Sequence, residues 1–287
     1  MTLELRAAGF FGKVPTAGDF QRHLTPDGPD GKTLDWFNDG WTRHALAGRR
    51  PDLTTPVHFC WQRPGTTTAL VGVMVASRDR AGRRFPLLVF AAVGGVTRTG
   101  ELIASAHDFF DRAVAVAESG RAGMEPTALR GHVDTLRTAF DPTGASRQAQ
   151  WQDATTFAEW ASGAADAAAE RLRCLRFAFS SGGRPNFVVR GRWHGDLRHL
   201  AAGTALLQHI AQEPPAMLFW TRNDEGVQWR AAWEYAASTL FEPLMWHDVQ
   251  AATAFDTDPG AVVVPADFRA GPAPAADASL ARVLETR

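Results

Sequence analysis

The chain has 287 residues, of which 45% are hydrophobic and 21% are charged, and its formal net charge is −1 at neutral pH. This length suits one large domain or two of ordinary size, each with a packed core. A near-neutral chain argues against a general nucleic-acid-binding protein, which would carry a strong excess of basic residues. The charge is unevenly spread, since residues 1–100 carry 13 Lys and Arg against 8 Asp and Glu, and the remainder carries 17 against 23.

The first 125 residues predict a mixture of strands and helices. Two continuous apolar runs, ALVGVMVA at 69–76 and FPLLVFAAV at 85–93, are typical of central strands that are buried on both faces. The charged turn SRDRAGRR between them predicts a hairpin. The other predicted elements here are a strand at 3–11, loops at 13–20 and 26–32, a helix at 34–46, a strand at 57–62 and a helix at 101–119.

The second half of the chain shows the same alternation of helices and hairpins. Alternating apolar residues predict a strand at 173–180, joined by the turn SGGRPN to a second strand at 187–193. Asp196 is placed to cap a helix that runs to about residue 212. The other predicted elements are helices at 126–140 and 156–172, a hairpin of MLFWT and VQWRAAW around NDEG, a short helix at 238–246, a Pro/Ala-rich stretch from 265 and a final helical turn at 279–287.

Strands that come as hairpins, with helices in blocks, predict an α+β fold. In this fold, antiparallel or mixed sheets are built from hairpins and covered by helices. We predict an amino-terminal domain at 1–125, a carboxy-terminal α+β half at 126–250 and a Pro/Ala-rich, partly disordered tail at 251–287. These patterns do not decide whether the two halves form two domains or two lobes around one sheet.

Cysteine usage and the first residues indicate the compartment. The chain has two cysteines, Cys60 and Cys174, and so sparse a pair predicts buried free thiols in a reducing environment. The start, MTLELRAAGFF, places Glu4 and Arg6 where a signal peptide would be apolar. No apolar run reaches the about 18 residues of a membrane-spanning helix. We therefore expect a cytoplasmic protein without direct membrane insertion.

Several segments resemble known catalytic motifs but lack residues that those motifs require. The segment PDGPDGKT at 26–33 ends like a nucleotide-binding loop, but it lacks the first glycine and a preceding strand. The segment AFSSG at 178–182 resembles a nucleophile elbow, but a proline and a predicted strand follow it instead of a helix. The histidines form no metal-binding motif. We therefore predict no catalytic residue, no metal ligand and no cofactor.

One enzymatic alternative remains open. Asp19, Asp79 and His23 could act as acid and base in a hydrolase or a phosphotransfer enzyme. A deep polar pocket that unites the three side chains would favour this alternative. A loop-built surface with arginine and aromatic residues would instead favour a binding protein.

Two short segments concentrate glycine, charge and aromatic residues. The first signature block is GFFGKVPTAGDFQRHL at 9–24, and the second signature block is SRDRAGRRFPL at 77–87. They resemble the amino-terminal signature of the TagF (ImpM-type) proteins of bacterial type VI secretion, in which G-F/Y-F/Y-G-K-L/V-P-x-x-G-D-F is followed by a block similar to S-x-D-R-x-G-R-x-F-P-L. The match covers roughly residues 8–120.

This resemblance implies a cytoplasmic accessory protein that represses type VI secretion after translation, through protein–protein contact and not through catalysis. It implies partners among the type VI regulatory components, with a forkhead-associated scaffold protein as one candidate. We further expect Asp19 to pair with Arg80, Arg83 or Arg84, which would join the two blocks into one surface. The candidate interaction residues are Phe11, Lys13, Asp19, Arg22, Ser77, Asp79, Arg80 and Arg83.

Overall fold

The structure, a computed structural model, describes residues 3–26, 31–49, 51, 53–141, 143–160, 165–180, 187–193, 195–224, 226–246, 254–257, 268, 274–275 and 277–285. Its described strands form one sheet in the order β2-β1-β5-β4-β3-β7-β8-β6-β9. The strands are β1 Glu4–Gly12, β2 Gln21–His23, β3 Val57–Gln62, β4 Ala69–Val75, β5 Leu87–Gly94, β6 Val188–Trp193, β7 Met217–Asn223, β8 Gly226–Ala232 and β9 Ala254–Asp256.

Helices pack on both faces of this sheet. The α-helices are α1 Gly31–Leu46, α2 Thr99–Ser105, α3 His107–Arg121, α4 Pro126–Thr135, α5 Gly144–Ala154, α6 Phe157–Trp160, α7 Ala165–Ala178, α8 Leu197–Ala211, α9 Phe241–Met245 and α10 Leu280–Glu285. Two 3-10 turns, Leu136–Ala139 and Ser238–Leu240, adjoin α4 and α9. The predicted α+β class with an antiparallel to mixed sheet is therefore confirmed; the β6–β9 pair is parallel.

Each face of the sheet has its own hydrophobic core because side chains alternate along a strand. On one face, the first core lies under α2, α3, α4, α7, α8 and α10. On the other face, the second core lies under α1 and α9 and is rich in aromatic rings. The central strands β4 and β5 contribute to both cores, which explains why their sequences are continuously apolar.

The sheet continues across the predicted boundary between the two halves of the chain. Strand β3 pairs with β4 on one side and with β7 on the other, with Phe59 opposite Phe219. Strand β9 and helix α10 lie within the predicted tail, and Leu280 of α10 is fully buried in the first core. The division at residues 125 and 250 stays a prediction.

The predicted strand at 173–180 is wrong, because this segment belongs mainly to helix α7. Leu172, Leu175 and Ala178 are buried together with Cys174, and this spacing of three to four residues matches a helix. A short alternating run of apolar residues is compatible with the two-residue period of a strand and with the 3.6-residue period of a helix. Packing against the first core favours the helix. The predicted turn SGGRPN, residues 181–186, falls outside the described residues.

Other elements also differ from the predictions. The helix predicted at 101–119 is divided into α2 and α3 at Ala106. The helix predicted at 156–172 corresponds to α6 and the first part of α7, with residues 161–164 between them outside the description, and α5 precedes them without having been predicted. Strand β2 was also not predicted, because its three residues carry too little pattern to be recognised.

Both cysteines are free and buried, as expected. Burial raises the pKa of the Cys60 thiol to about 12, so that this thiol stays protonated. Among the helices of the described residues, none has the length and apolar content needed to cross a bilayer.

Candidate functional site

The two signature blocks meet at one end of the sheet. Strand β1 leads into the first block and β5 follows the second, and these strands pair so that Gly12 lies opposite Leu87. Gly12 has a φ of 140°, and a Cβ there would lie 2.0 Å from the carbonyl oxygen of Pro86. Only glycine allows this close approach, which brings the loop after β1 against the loop before β5. We call residues 13–20 and 77–86 the paired loops.

Asp79 lies at the centre of the paired loops, and its side chain is fully buried. Its Oδ2 lies 3.0 Å from the Nζ of Lys13 and 2.7 Å from the Nε of Arg83. Its Oδ1 accepts a hydrogen bond of 2.9 Å from the main-chain N–H of Arg83. The carboxylate therefore binds a cation from each block, and the Lys13 side chain is itself only 8% exposed.

The charged state of Asp79 is stabilised by these partners. Burial would raise the pKa of the Asp79 carboxyl, but hydrogen bonds from Lys13 and from the main chain and side chain of Arg83 outweigh it. The pKa falls from 3.8 to about 2. The carboxylate is therefore ionised throughout the physiological pH range, and it acts as a fixed anion between two cations.

Further hydrogen bonds join the two loops. The guanidinium of Arg83 donates a hydrogen bond of 2.6 Å to the carbonyl oxygen of Gly18. The hydroxyl of Ser77 donates a hydrogen bond of 2.7 Å to the carbonyl oxygen of Lys13. The main-chain N–H of Arg80 donates to the carbonyl oxygen of Ala17 at 2.8 Å. With the ion pairs of Asp79, these bonds fix the two loops relative to each other.

An aromatic cluster supports the paired loops from below. Phe11, Phe20 and Phe85 contact one another, with ring centroids between 4.7 and 5.6 Å apart. The Nζ of Lys13 lies 5.0 Å from the centre of the Phe20 ring, and the guanidinium of Arg22 lies 5.0 Å from that of Phe11. Both contacts have cation–π geometry. Phe11 is buried, so it packs inside this surface.

The predicted pairing of Asp19 with an arginine is wrong. Asp19 is exposed, and its carboxylate accepts a hydrogen bond from the main-chain N–H of Phe20. Asp79 takes the predicted role, because a turn from Asp79 to Gly82 returns the chain and places Arg83 beside its carboxylate. The expectation that the two blocks form one surface is confirmed, although a different carboxylate joins them.

The residues of the enzymatic alternative are engaged separately. The Nε2 of His23 lies 3.0 Å from the Oδ1 of Asp134, a residue of α4 that the sequence analysis did not identify. The carboxylate of Asp79 is already bound by Lys13 and Arg83. The described cavities are not lined by Asp19, His23 or Asp79. Within the described residues, no group of three or more His, Cys, Asp and Glu residues could hold a metal ion.

The outer side of the paired loops is basic. Arg78, Arg80, Arg83 and Arg84 are all exposed, and the acid among them, Asp79, is buried beneath them. The paired loops contain five cations, and Asp79 and the exposed Asp19 balance only two of them, so the surface has an excess of positive charge. Four exposed guanidiniums on a rigid loop can form hydrogen bonds with carboxylates of another protein.

Residues 9–136 match the model of the TagF N-terminal domain, which is described as Type VI secretion system-associated. The chain carries a TagF N-terminal domain. Both paired loops lie inside this TagF domain, and so does Asp134. The matched domain, which covers less than half of the chain, indicates a type VI secretion-associated protein.

Solved structures include a similar chain, PA0076 from Pseudomonas aeruginosa PAO1. The two chains are 18% identical, with a TM-score of 0.50, and the match covers 85% of this chain and 96% of that chain. At this identity the similarity concerns the fold alone. No curated protein is significantly similar in sequence to this chain.

Proposed function

We propose that this TagF-domain protein represses type VI secretion after translation by binding another protein through its paired loops. The buried ion pairs of Asp79 with Lys13 and Arg83 carry this proposal, since they hold residues of both signature blocks in one rigid surface. A preformed surface binds a partner with little loss of conformational entropy. The proposed role is that of a cytoplasmic regulator without a catalytic step.

The exposed arginines favour a partner with an acidic surface. Arg80 uses its main-chain N–H to hold the first loop, and its side chain is exposed and takes part in no described ion pair. Arg78 and Arg84 flank the same turn and form a main-chain bridge. We propose that this surface contacts a regulatory component of type VI secretion, and a forkhead-associated scaffold protein is one candidate.

The test is a pulldown from the native bacterium combined with a secretion assay. Replacing Arg80 and Arg84 together by Glu reverses the charge of the proposed contact surface without removing a described ion pair. We expect the double variant to fold, to lose at least tenfold in partner recovery and to release secretion from repression, because like charges would face the partner.

Arg63→Glu is the matched control. Arg63 is also exposed, but it lies in the turn between β3 and β4, at the opposite end of the sheet. This variant should bind and repress as the wild type does. Equal recovery of a type VI regulatory component by the wild type and the double variant would contradict the paired loops as the contact surface. Unchanged secretion after deletion of the protein would contradict repression itself.

A further inference from the structure

A polar cavity of about 290 Å³ lies beside the paired loops, over β3, β7, β8 and β6. Residues just before β3 form one wall, and the main-chain oxygen of Leu53 in this segment accepts a hydrogen bond from the N–H of Ala76, which precedes the second signature block. The cavity therefore opens at the same end of the sheet as the paired loops. Most of its lining comes from the carboxy-terminal half, outside the matched TagF domain.

The strand register places hydrogen-bond donors side by side on the floor of this cavity. Gln228 of β8 lies opposite Thr221 of β7 on one side and opposite Arg192 of β6 on the other. Arg230 follows Gln228 by two residues, so its side chain lies on the same face of the sheet. All four residues line the cavity.

The described lining of the cavity includes two guanidinium groups. Arg230 is only 3% exposed and Arg192 is exposed at the rim, while the described lining residues include no carboxylate. Both arginines also interact within the protein. A guanidinium has five N–H donors, so an internal contact leaves donors for a ligand. Two guanidiniums beside a hydroxyl and an amide match the several oxygens and the double charge of a phosphate group.

The opposite wall is apolar and contains Met245 and Trp246. The volume is close to the lower limit of about 300 Å³ for small-molecule sites. We propose that this cavity binds a phosphate group, as free phosphate or as a phosphomonoester whose organic part contacts Trp246. This inference is independent of the proposed repression, because it concerns a small ligand and a different set of residues.

The test measures binding of two probes, inorganic phosphate and phenyl phosphate, to the full chain by isothermal titration calorimetry. Chloride at matched ionic strength gives the baseline. We expect saturable binding with one site per chain. Equal affinity for the two probes would identify free phosphate as the ligand, and tighter binding of phenyl phosphate would identify a monoester. Both results support the cavity as a phosphate site.

Substitutions at two residues, Arg192 and Thr55, locate the site. Arg192→Gln removes one cation at the exposed rim and should weaken binding roughly tenfold, whereas Arg192→Lys should restore part of it. Thr55→Glu places a carboxylate in the exposed wall and should abolish binding through repulsion. Because Arg192 and Thr55 are exposed, all three variants should fold.

Arg222→Gln is the matched control. Arg222 follows Thr221 in β7, so its side chain lies on the opposite face of the sheet, where it pairs with Asp111. This variant changes the net charge as Arg192→Gln does but should leave binding unchanged. The inference would be overturned by the absence of saturable binding, or by an equal loss in Arg192→Gln and Arg222→Gln.

Discussion

At the scale of single residues, Asp79 organises the candidate site. Its carboxylate is buried between Lys13 and Arg83, and each cation comes from a different signature block. Removing one partner of a buried ion pair is destabilising, because the remaining charges are left without compensation in a site of low polarity. Asp19 is exposed and forms no ion pair among the described residues, so the two aspartates of the signature differ in role.

We expect Asp79→Asn to lower the stability of the protein at neutral pH, with a larger loss than Asp19→Asn as the matched control. The folded-state pKa of Asp79 is about 2, below its ordinary value of 3.8. The stabilisation from its charge is therefore fully present above pH 3.8 and is lost as the pH falls through about 2.

Thermal denaturation of both variants across this pH range checks the expectation. The difference in melting temperature between the wild type and Asp79→Asn should be constant near neutral pH and should shrink as the pH approaches about 2. A difference that does not change with pH would show that the charge of Asp79 is not the stabilising feature.

At the scale of elements, helix α10 shows how the end of the chain contributes to the fold. Its residues Leu280 and Val283 are buried in the first core. The segment before it is also attached, since the main-chain N–H of Phe157 donates to the carbonyl oxygen of Ala278 at 2.8 Å. The described part of the predicted tail thus includes a helix that packs on the main body.

Leu280→Ala should reduce the free energy of unfolding by about 2–5 kcal/mol, because it leaves a cavity among fully buried side chains. Leu284→Ala is the control, since Leu284 is only partly buried on the same helix and should lose less. Chemical denaturation of the three proteins measures both values. Equal and small losses would show that α10 contributes little to the stability of the first core.

For two other elements, the local sequence pattern was sufficient to predict the structure. Asp196 caps α8, as its position predicts, through a hydrogen bond from the main-chain N–H of Arg198 and a contact with His199. The hairpin of β7 and β8 around its polar turn was also predicted. In both cases, the decisive interactions lie within a few residues of each other. The strand prediction for segment 173–180 failed because its alternation of apolar residues is short. The choice between strand and helix there depends on packing against a core formed by distant residues.

At the scale of the whole molecule, the sheet joins the matched TagF domain to the rest of the chain. The match ends at residue 136, but β3 within it pairs with β7 beyond it. The second core is shared in the same way, since the ring of Phe241 in α9 contacts Trp36 and Phe37 of α1. The stability of the paired loops therefore depends on residues far along the chain.

We expect residues 1–141 alone to lack a cooperative thermal transition and to self-associate. Without β7, one edge of β3 would be unpaired, and the aromatic residues of the second core would be exposed to solvent. Size-exclusion chromatography and thermal denaturation, with the full chain as control, measure this. A monomeric fragment with a sharp transition would show that the amino-terminal domain folds on its own.

The sequence by itself determined the strands and the helices with strong patterns, together with the two signature blocks. Continuous apolar runs are stable only when both faces are buried, so β4 and β5 could be recognised as central strands. The tertiary structure alone decided that Asp79 and not Asp19 pairs with Arg83, that β3 pairs with β7, and that residues 173–178 are helical. These outcomes depend on contacts between residues far apart in the chain, and local patterns carry no information about which distant groups will meet.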